Sequence, residues 1–178
     1  MTKIIFSRKG FNSIAGGIPS TKIGQRLQSF PIPYINNSLT TYKHLGLGND
    51  VNQLLKNKIK PTDTCHNDPY LITGQFGQIV AAQSHLENND IEEGDVFFFW
   101  GWFRETIRIG NKVYFAKKDL SHYRLFGWLQ IGEIIKLGGN PSWYLREKPN
   151  SSSLTHTIGK WKKIIHFILQ NLQWRFFV

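Results

Sequence analysis

Apolar positions in this chain come in short clusters rather than long helical stripes. Ile4-Ile5-Phe6 is a brief apolar run that predicts a first strand. Residues 7–20 (Ser-Arg-Lys-Gly-Phe-Asn-Ser-Ile-Ala-Gly-Gly-Ile-Pro-Ser) carry glycines, serines and a proline, and predict a loop. Leu27 to Pro33 predicts a short edge strand, because Pro31 and Pro33 cannot donate to a central ladder. Asn36 to Leu45 reads as loop with a weak helix start. Val51 to Lys60 predicts a helix with Leu54, Leu55 and Ile59 on one side, ended by Pro61. Gly74 to Leu86 has small residues and a buried character around Ile79-Val-Ala-Ala82, and predicts a second helix that Asn88-Asn89-Asp90 breaks.

The second half is richer in strands. Val96-Phe-Phe-Phe-Trp-Gly-Trp-Phe103 is a continuous aromatic run that predicts a central strand buried on both faces. Gly110-Asn111 between Ile107-Arg-Ile109 and Val113-Tyr-Phe115 predicts a hairpin. Tyr123 to Leu137, with Gly127 and Gly132 inside it, predicts a long bent or bulged strand. The fold expected is α+β: one β-rich domain around a mixed or antiparallel aromatic-rich sheet, open or barrel-like, with two or three short helices. Residues 1–149 form that domain and 150–178 a basic tail.

Composition narrows the partners. Twenty-two Lys and Arg against 12 Asp and Glu leave a formal charge of +10. That excess favours nucleotides, nucleic acid or another acidic surface, although a lysine-rich surface kept for solubility has the same signature. The single cysteine, Cys65, excludes an internal disulfide and a Cys-based zinc site. No apolar run approaches the roughly 20 residues of a membrane span, and Met-Thr-Lys opens no signal-peptide pattern, so the expected location is the cytoplasm.

Four constellations could carry chemistry. Ser7, Arg8, Lys9 and Gly10, with Ser13 and Gly16-Gly17, offer two cations, two hydroxyls and glycine-loop amides to a phosphate. The spacing matches neither a Walker loop nor Gly-x-Gly-x-x-Gly, and a plain strand-to-loop turn would look the same. Cys65-His66-Asn67-Asp68-Pro69 supplies His66 and Asp68 for acid–base work or as partial metal ligands, or Asp68 as a cap; neighbouring Cys65 and His66 should point apart. Gln83-Ser84-His85 could face a pocket, with His85 pairing to Asp68 or Asp95, or be a hydrogen-bonded structural segment. Trp100-Gly-Trp-Phe-Arg104 could stack a base, Gly101 leaving room for something flat beside Trp102 and Arg104; a packed core is the alternative. No metal-binding triad motif is present, and the sequence does not specify whether a cofactor is used.

Taken together, Ser7-Arg-Lys-Gly-Phe11, Ser13, Gly16-Gly-Ile-Pro-Ser20, Pro31-Ile-Pro33, Cys65-His66, Asp68-Pro69, Ala82-Gln-Ser-His-Leu86, Gly94-Asp95, Phe99-Trp-Gly-Trp-Phe-Arg104 and Phe126-Gly-Trp-Leu-Gln-Ile-Gly-Glu133 resemble the nucleotide modification associated domain 3 family of bacteria and phages. The resemblance spans residues 3 to about 145. It implies a role in modifying nucleotides or bases, with no defined reaction. It also leads one to expect an Asp where Asn12 stands, an acidic residue where Tyr70 stands, and a further β-rich section. Two readings of the tail follow: a segment translated out of frame after about Pro149, in a truncated copy, or an amphipathic basic helix from Trp161 to Leu172.

Two functions are expected from these features. In the first, Arg8 and Lys9 hold the phosphate of a nucleotide, His66, Asp68 and His85 supply acid–base or metal-ligand chemistry, and Trp102 and Arg104 line a base pocket. In the second, the chain is a non-catalytic reader of modified bases, loosely similar to the PUA-like EVE and ASCH barrels through Gly94-Asp95 and Gln130-Ile-Gly-Glu-Ile-Ile135. The partner is a nucleotide or nucleic acid in both.

Overall fold

A computed structural model describes residues 1–34, 40–66, 75–136 and 164–169. Among them lie eight strands and two helices, in the order β1 (Ile4–Arg8), β2 (Ser20–Ile23), β3 (Arg26–Gln28), α1 (Gly48–Leu54), β4 (Gln75–Ile79), α2 (Val80–Asn88), β5 (Val96–Ile109), β6 (Lys112–Phe115), β7 (His122–Lys136) and β8 (Ile164–Leu169). The strands follow the order β3-β2-β5-β7-β8-β4, and β5 also pairs with β1 and with β6. β2 runs parallel to β5 while β6 runs antiparallel to it, so the sheet is mixed. The expected β-dominated α+β class is what the chain adopts.

The chain divides into two compact units, residues 1–6, 68–98 and 127–175 in one, and 7–67, 99–126 and 176–178 in the other. In the first unit, Phe76 packs edge-on against Phe97 at 5.1 Å, with Leu86, Leu129 and Ile131 buried as well. The Gly94-Asp95 turn is tied to β7: Gly94 donates its N–H to the Ile131 carbonyl at 2.7 Å, and Ile131 donates back to the Asp95 carbonyl at 2.8 Å. β8 pairs antiparallel with both β7 and β4, and the β7–β8 register shifts between Ile131 and Glu133. That irregularity falls at Gly132, where a bulge was expected.

The second unit is built on Phe11, Phe30, Tyr42, Leu47, Val51, Leu55 and Cys65. The Phe11 ring meets Phe30 edge-on at 5.5 Å and Tyr42 at 6.2 Å. Tyr42 also donates its hydroxyl to the Pro31 carbonyl at 2.7 Å. Leu47, Val51 and Leu55 recur every four residues, which is how α1 presents one apolar side to this core.

Several expectations are corrected. β1 continues to Arg8, so Ser7 and Arg8 are strand rather than loop, and Ser20 already starts β2. α1 occupies 48–54 rather than 51–60, because Lys56 and Asn57 turn left-handed at φ 52° and 66°. Ala81 and Ala82 are exposed, while Gln83 and Leu86 of α2 are buried. β5 is not buried on both faces: Phe97, Phe99, Gly101 and Phe103 are buried, while Phe98, Trp100 and Trp102 between them are half-buried. Residues 164–169 form a strand where a helix over 161–172 was one reading. The hairpin at Gly110-Asn111 is as expected, with Ile109 opposite Lys112 and Gly110 at φ 58°.

Candidate functional site

The half-buried face of β5 is where aromatic rings and an exposed cation meet. β1 is tied to β5 by the Lys9 N–H, which donates to the Trp100 carbonyl at 2.8 Å. Strand alternation then sends neighbouring side chains to opposite faces. Exposed Arg8 places its guanidinium carbon 5.8 Å from the centre of the Trp100 ring. Half-buried Lys9 places its Nζ 5.6 Å from the centre of Phe99, the next residue on β5. The two cations, expected to clamp one phosphate together, are therefore directed to different faces. Half-buried Ser7 shares the strand parity of Lys9.

Tyr123 completes the exposed side. It is 67% exposed, and its ring stands 5.2 Å from Trp100 at 80°. Sequence reasoning missed it, since only the pairing of distant strands brings residue 123 beside residue 100. Trp102 lies two residues along the same face as Trp100. A guanidinium, an indole face and a phenol ring in one exposed cluster can hold a planar, anionic ligand by stacking and charge.

The glycine loop is closed on itself. Asn12 is buried, and its Oδ1 accepts the N–H groups of Ile14 and Ala15, both at 2.8 Å. Gly17 donates its N–H to the Asn12 carbonyl at 2.9 Å. These amides, expected to cradle a phosphate, turn inward. An Asp at position 12 would accept the same two bonds, which gives the carboxylate implied by the resemblance a structural use. Gly10 is buried, with Ser29 Oγ 2.2 Å from where a Cβ would stand, and Gly16 lies on the Phe11 ring. Ser13 and Gly17 are exposed.

Arg104 is half-buried and committed to its own chain: Nη2 donates to the Ala116 carbonyl at 3.0 Å and the guanidinium lies 5.4 Å from the centre of Phe115. The space at Gly101 is filled rather than open. A Cβ there would come within 2.8 Å of the Phe103 ring and 3.2 Å of the Lys9 carbonyl.

Of the acid–base candidates, His66 is exposed, donates its backbone N–H to Ile32 at 2.8 Å, and sets its ring 4.4 Å from Tyr34. Cys65 beside it is buried. Ser84 and His85 are exposed on α2, while Gln83 is buried and donates to Glu87 Oε1 at 3.3 Å. Asp95 accepts the N–H of Lys3 at 2.8 Å and of Glu92 at 2.9 Å. His66 and His85 belong to different units. Asp68 and Tyr70 lie outside the described residues. Among the described residues, no three His, Cys, Asp or Glu side chains gather to hold a metal.

The model of nucleotide modification associated domain 3 matches residues 3–169. The chain belongs to that family. The match runs through β8, past the residue 145 or so at which the resemblance was expected to stop. It takes in Arg8, the aromatic face of β5 and Tyr123. No curated protein and no solved structure matches this chain. The description of the nucleotide modification associated domain 3 family links the chain to nucleotide modification, and the cluster around Trp100 offers groups suited to such a ligand. Among the described residues of this family member, no helix is long and apolar enough to cross a membrane.

Proposed function

We propose that this chain binds a phosphate-bearing nucleotide for modification, on the exposed cluster of Arg8, Trp100, Trp102 and Tyr123. The observation that carries the reading is Arg8 lying over the Trp100 ring on an accessible strand face. A planar base can take the place of Arg8 over the indole. The released guanidinium is then free to meet the phosphate that the base carries, and its planar fork matches that group. Tyr123 walls one side. For His66, Asp68 and His85 the proposal is acid–base chemistry, supported by their motifs and by the exposure of the two histidines and not by a position at this cluster.

A thermal-shift panel tests this. Nucleoside monophosphates and triphosphates, free nucleosides and short oligonucleotides are compared on the wild type, Arg8→Ala and Trp100→Leu. Ligand at about 100 times its dissociation constant adds roughly 2.7 kcal/mol, or about 5–10 °C for a chain of this size. The expected result is a nucleotide-dependent shift that falls in both variants, the phosphate-dependent part being lost in Arg8→Ala. An undiminished shift in Arg8→Ala would remove the site. A response to oligonucleotides alone would favour a reader of bases over an enzyme of the nucleotide pool.

A further inference from the structure

The hairpin formed by β5 and β6 carries a surface that the nucleotide site does not use. Its register sets Ile107 opposite Tyr114 and Ile109 opposite Lys112. With a period of two, Thr106, Arg108, Val113 and Phe115 share one face and Ile107, Ile109, Lys112 and Tyr114 the other.

The first face is anchored. Thr106 and Val113 are buried, and Arg108 Nη2 meets Asp50 Oδ2 of α1 at 2.6 Å. The hairpin backbone is tied to the same helix. Gln53 Oε1 accepts the Val113 N–H at 2.9 Å, and Gln53 Nε2 donates to the Asn111 carbonyl at 2.9 Å. The second face is open: Ile107 is 46%, Ile109 65% and Tyr114 43% exposed.

Charge selects the occupant. From Thr106 to Lys118 there are four basic residues and no acidic one. Asp50 compensates Arg108, but Lys112, Lys117 and Lys118 are exposed, with no carboxylate at ion-pair distance among the described residues. An apolar stripe that carries Lys112, on a hairpin followed directly by exposed Lys117 and Lys118, suits a polyanion with a wall to lie against. The arms span about 14 Å and stand about 5 Å apart, dimensions of a two-stranded ribbon that a DNA major groove about 12 Å wide admits. Only one aromatic ring, Tyr114, is on this face, so a single strand would find little to stack on.

We propose that the β5–β6 hairpin is a nucleic-acid arm that enters a groove of duplex DNA, with Lys112, Lys117 and Lys118 on phosphates and Ile107, Ile109 and Tyr114 against the groove interior. The test is anisotropy of a labelled duplex of about 20 base pairs with the full chain, across roughly 50 to 200 mM salt. Each phosphate contact contributes about 0.9 to the slope of log affinity against log salt, so Lys117→Ala with Lys118→Ala should lower it by about 1.8. Ile109→Ser should weaken binding about tenfold at fixed salt and leave the slope unchanged. Thermal melts establish that the variants are folded, and the exposed lysine variants decide the matter even if Ile109→Ser unfolds. No duplex binding at low salt, an unchanged slope in the lysine variant, or tighter binding of the single strand would overturn the proposal.

Discussion

The ring of Phe11 lies against Gly16, so that a Cβ at position 16 would come 2.3 Å from Phe11 Cγ. Gly16 also sits at φ 89°, where side chains are strained. Gly16→Ala should therefore cost about 2–4 kcal/mol and lower the melting temperature by roughly 5–12 °C. Gly17 has φ 73° but open space around it. Gly17→Ala should cost only the backbone part, about 1–2 kcal/mol. Calorimetry of the pair checks whether Phe11 packing or loop conformation dominates.

The Asp50–Arg108 pair should respond asymmetrically. Asp50 is buried and Arg108 largely exposed. Arg108→Ala leaves a buried carboxylate without its cation, and should cost about 3 kcal/mol or more. Asp50→Asn leaves an arginine that water can reach and an acceptor in place, and should cost about 1 kcal/mol. Urea melts of both variants would show the order.

Glu105 gives the chain an acid limb. The Lys22 ammonium, bonded to its side chain, and the Gly24 N–H, donated at 2.9 Å, hold its carboxyl below the ordinary glutamate range. A lowered carboxyl stabilises the fold above the unfolded value, near pH 4.3, and that stabilisation is lost as pH falls through the folded value. Glu105→Gln should flatten stability against pH below about pH 5, with little change in the slope between pH 6 and 8.

Tyr42 gives the opposite limb. Burial, reinforced by Cys65 and Asp63, holds its hydroxyl far above the ordinary tyrosine range. The folded chain keeps that proton after an unfolded one would lose it, so stability is intact below about pH 10 and falls above it. Tyr42→Phe removes this alkaline loss, at a cost of about 1–3 kcal/mol for the unpaired Pro31 carbonyl. Absorbance titration at 295 nm, compared between the wild type and Tyr42→Phe, should show that Tyr42 does not ionise until the fold is lost.

What was legible in the sequence was local. Gly110-Asn111 between alternating residues specifies its hairpin, and Gly132 inside a long apolar run marks the irregularity in β7. β2 was missed because Ser-Thr-Lys-Ile has no strand pattern of its own; parallel pairing with Phe103–Glu105 creates it. Ile164–Leu169 was open to a helical reading because a short apolar run has no period, and its two neighbours in the sheet decide it. The candidate site divided the same way. Arg8 and Trp102 were visible as residue types next to a strand. That Arg8 parts from Lys9, that Asn12 closes the loop, and that Tyr123 joins Trp100 all depend on strand parity and long-range pairing.

The place of β8 between β7 and β4 has a consequence for the order in which the chain can fold. Ile79 of β4 pairs with Ile164 of β8, about 85 residues later. At a synthesis rate of about 5–20 residues per second, β4 leaves the ribosome roughly 4–17 s before this partner exists. During that interval its backbone edge lacks the β8 ladder, and the loop to be closed is long. Non-local pairing of this kind slows folding, and an unpaired edge invites contact with other chains. Production of the protein should therefore depend more on temperature and chain concentration during synthesis than on the stability of the finished fold.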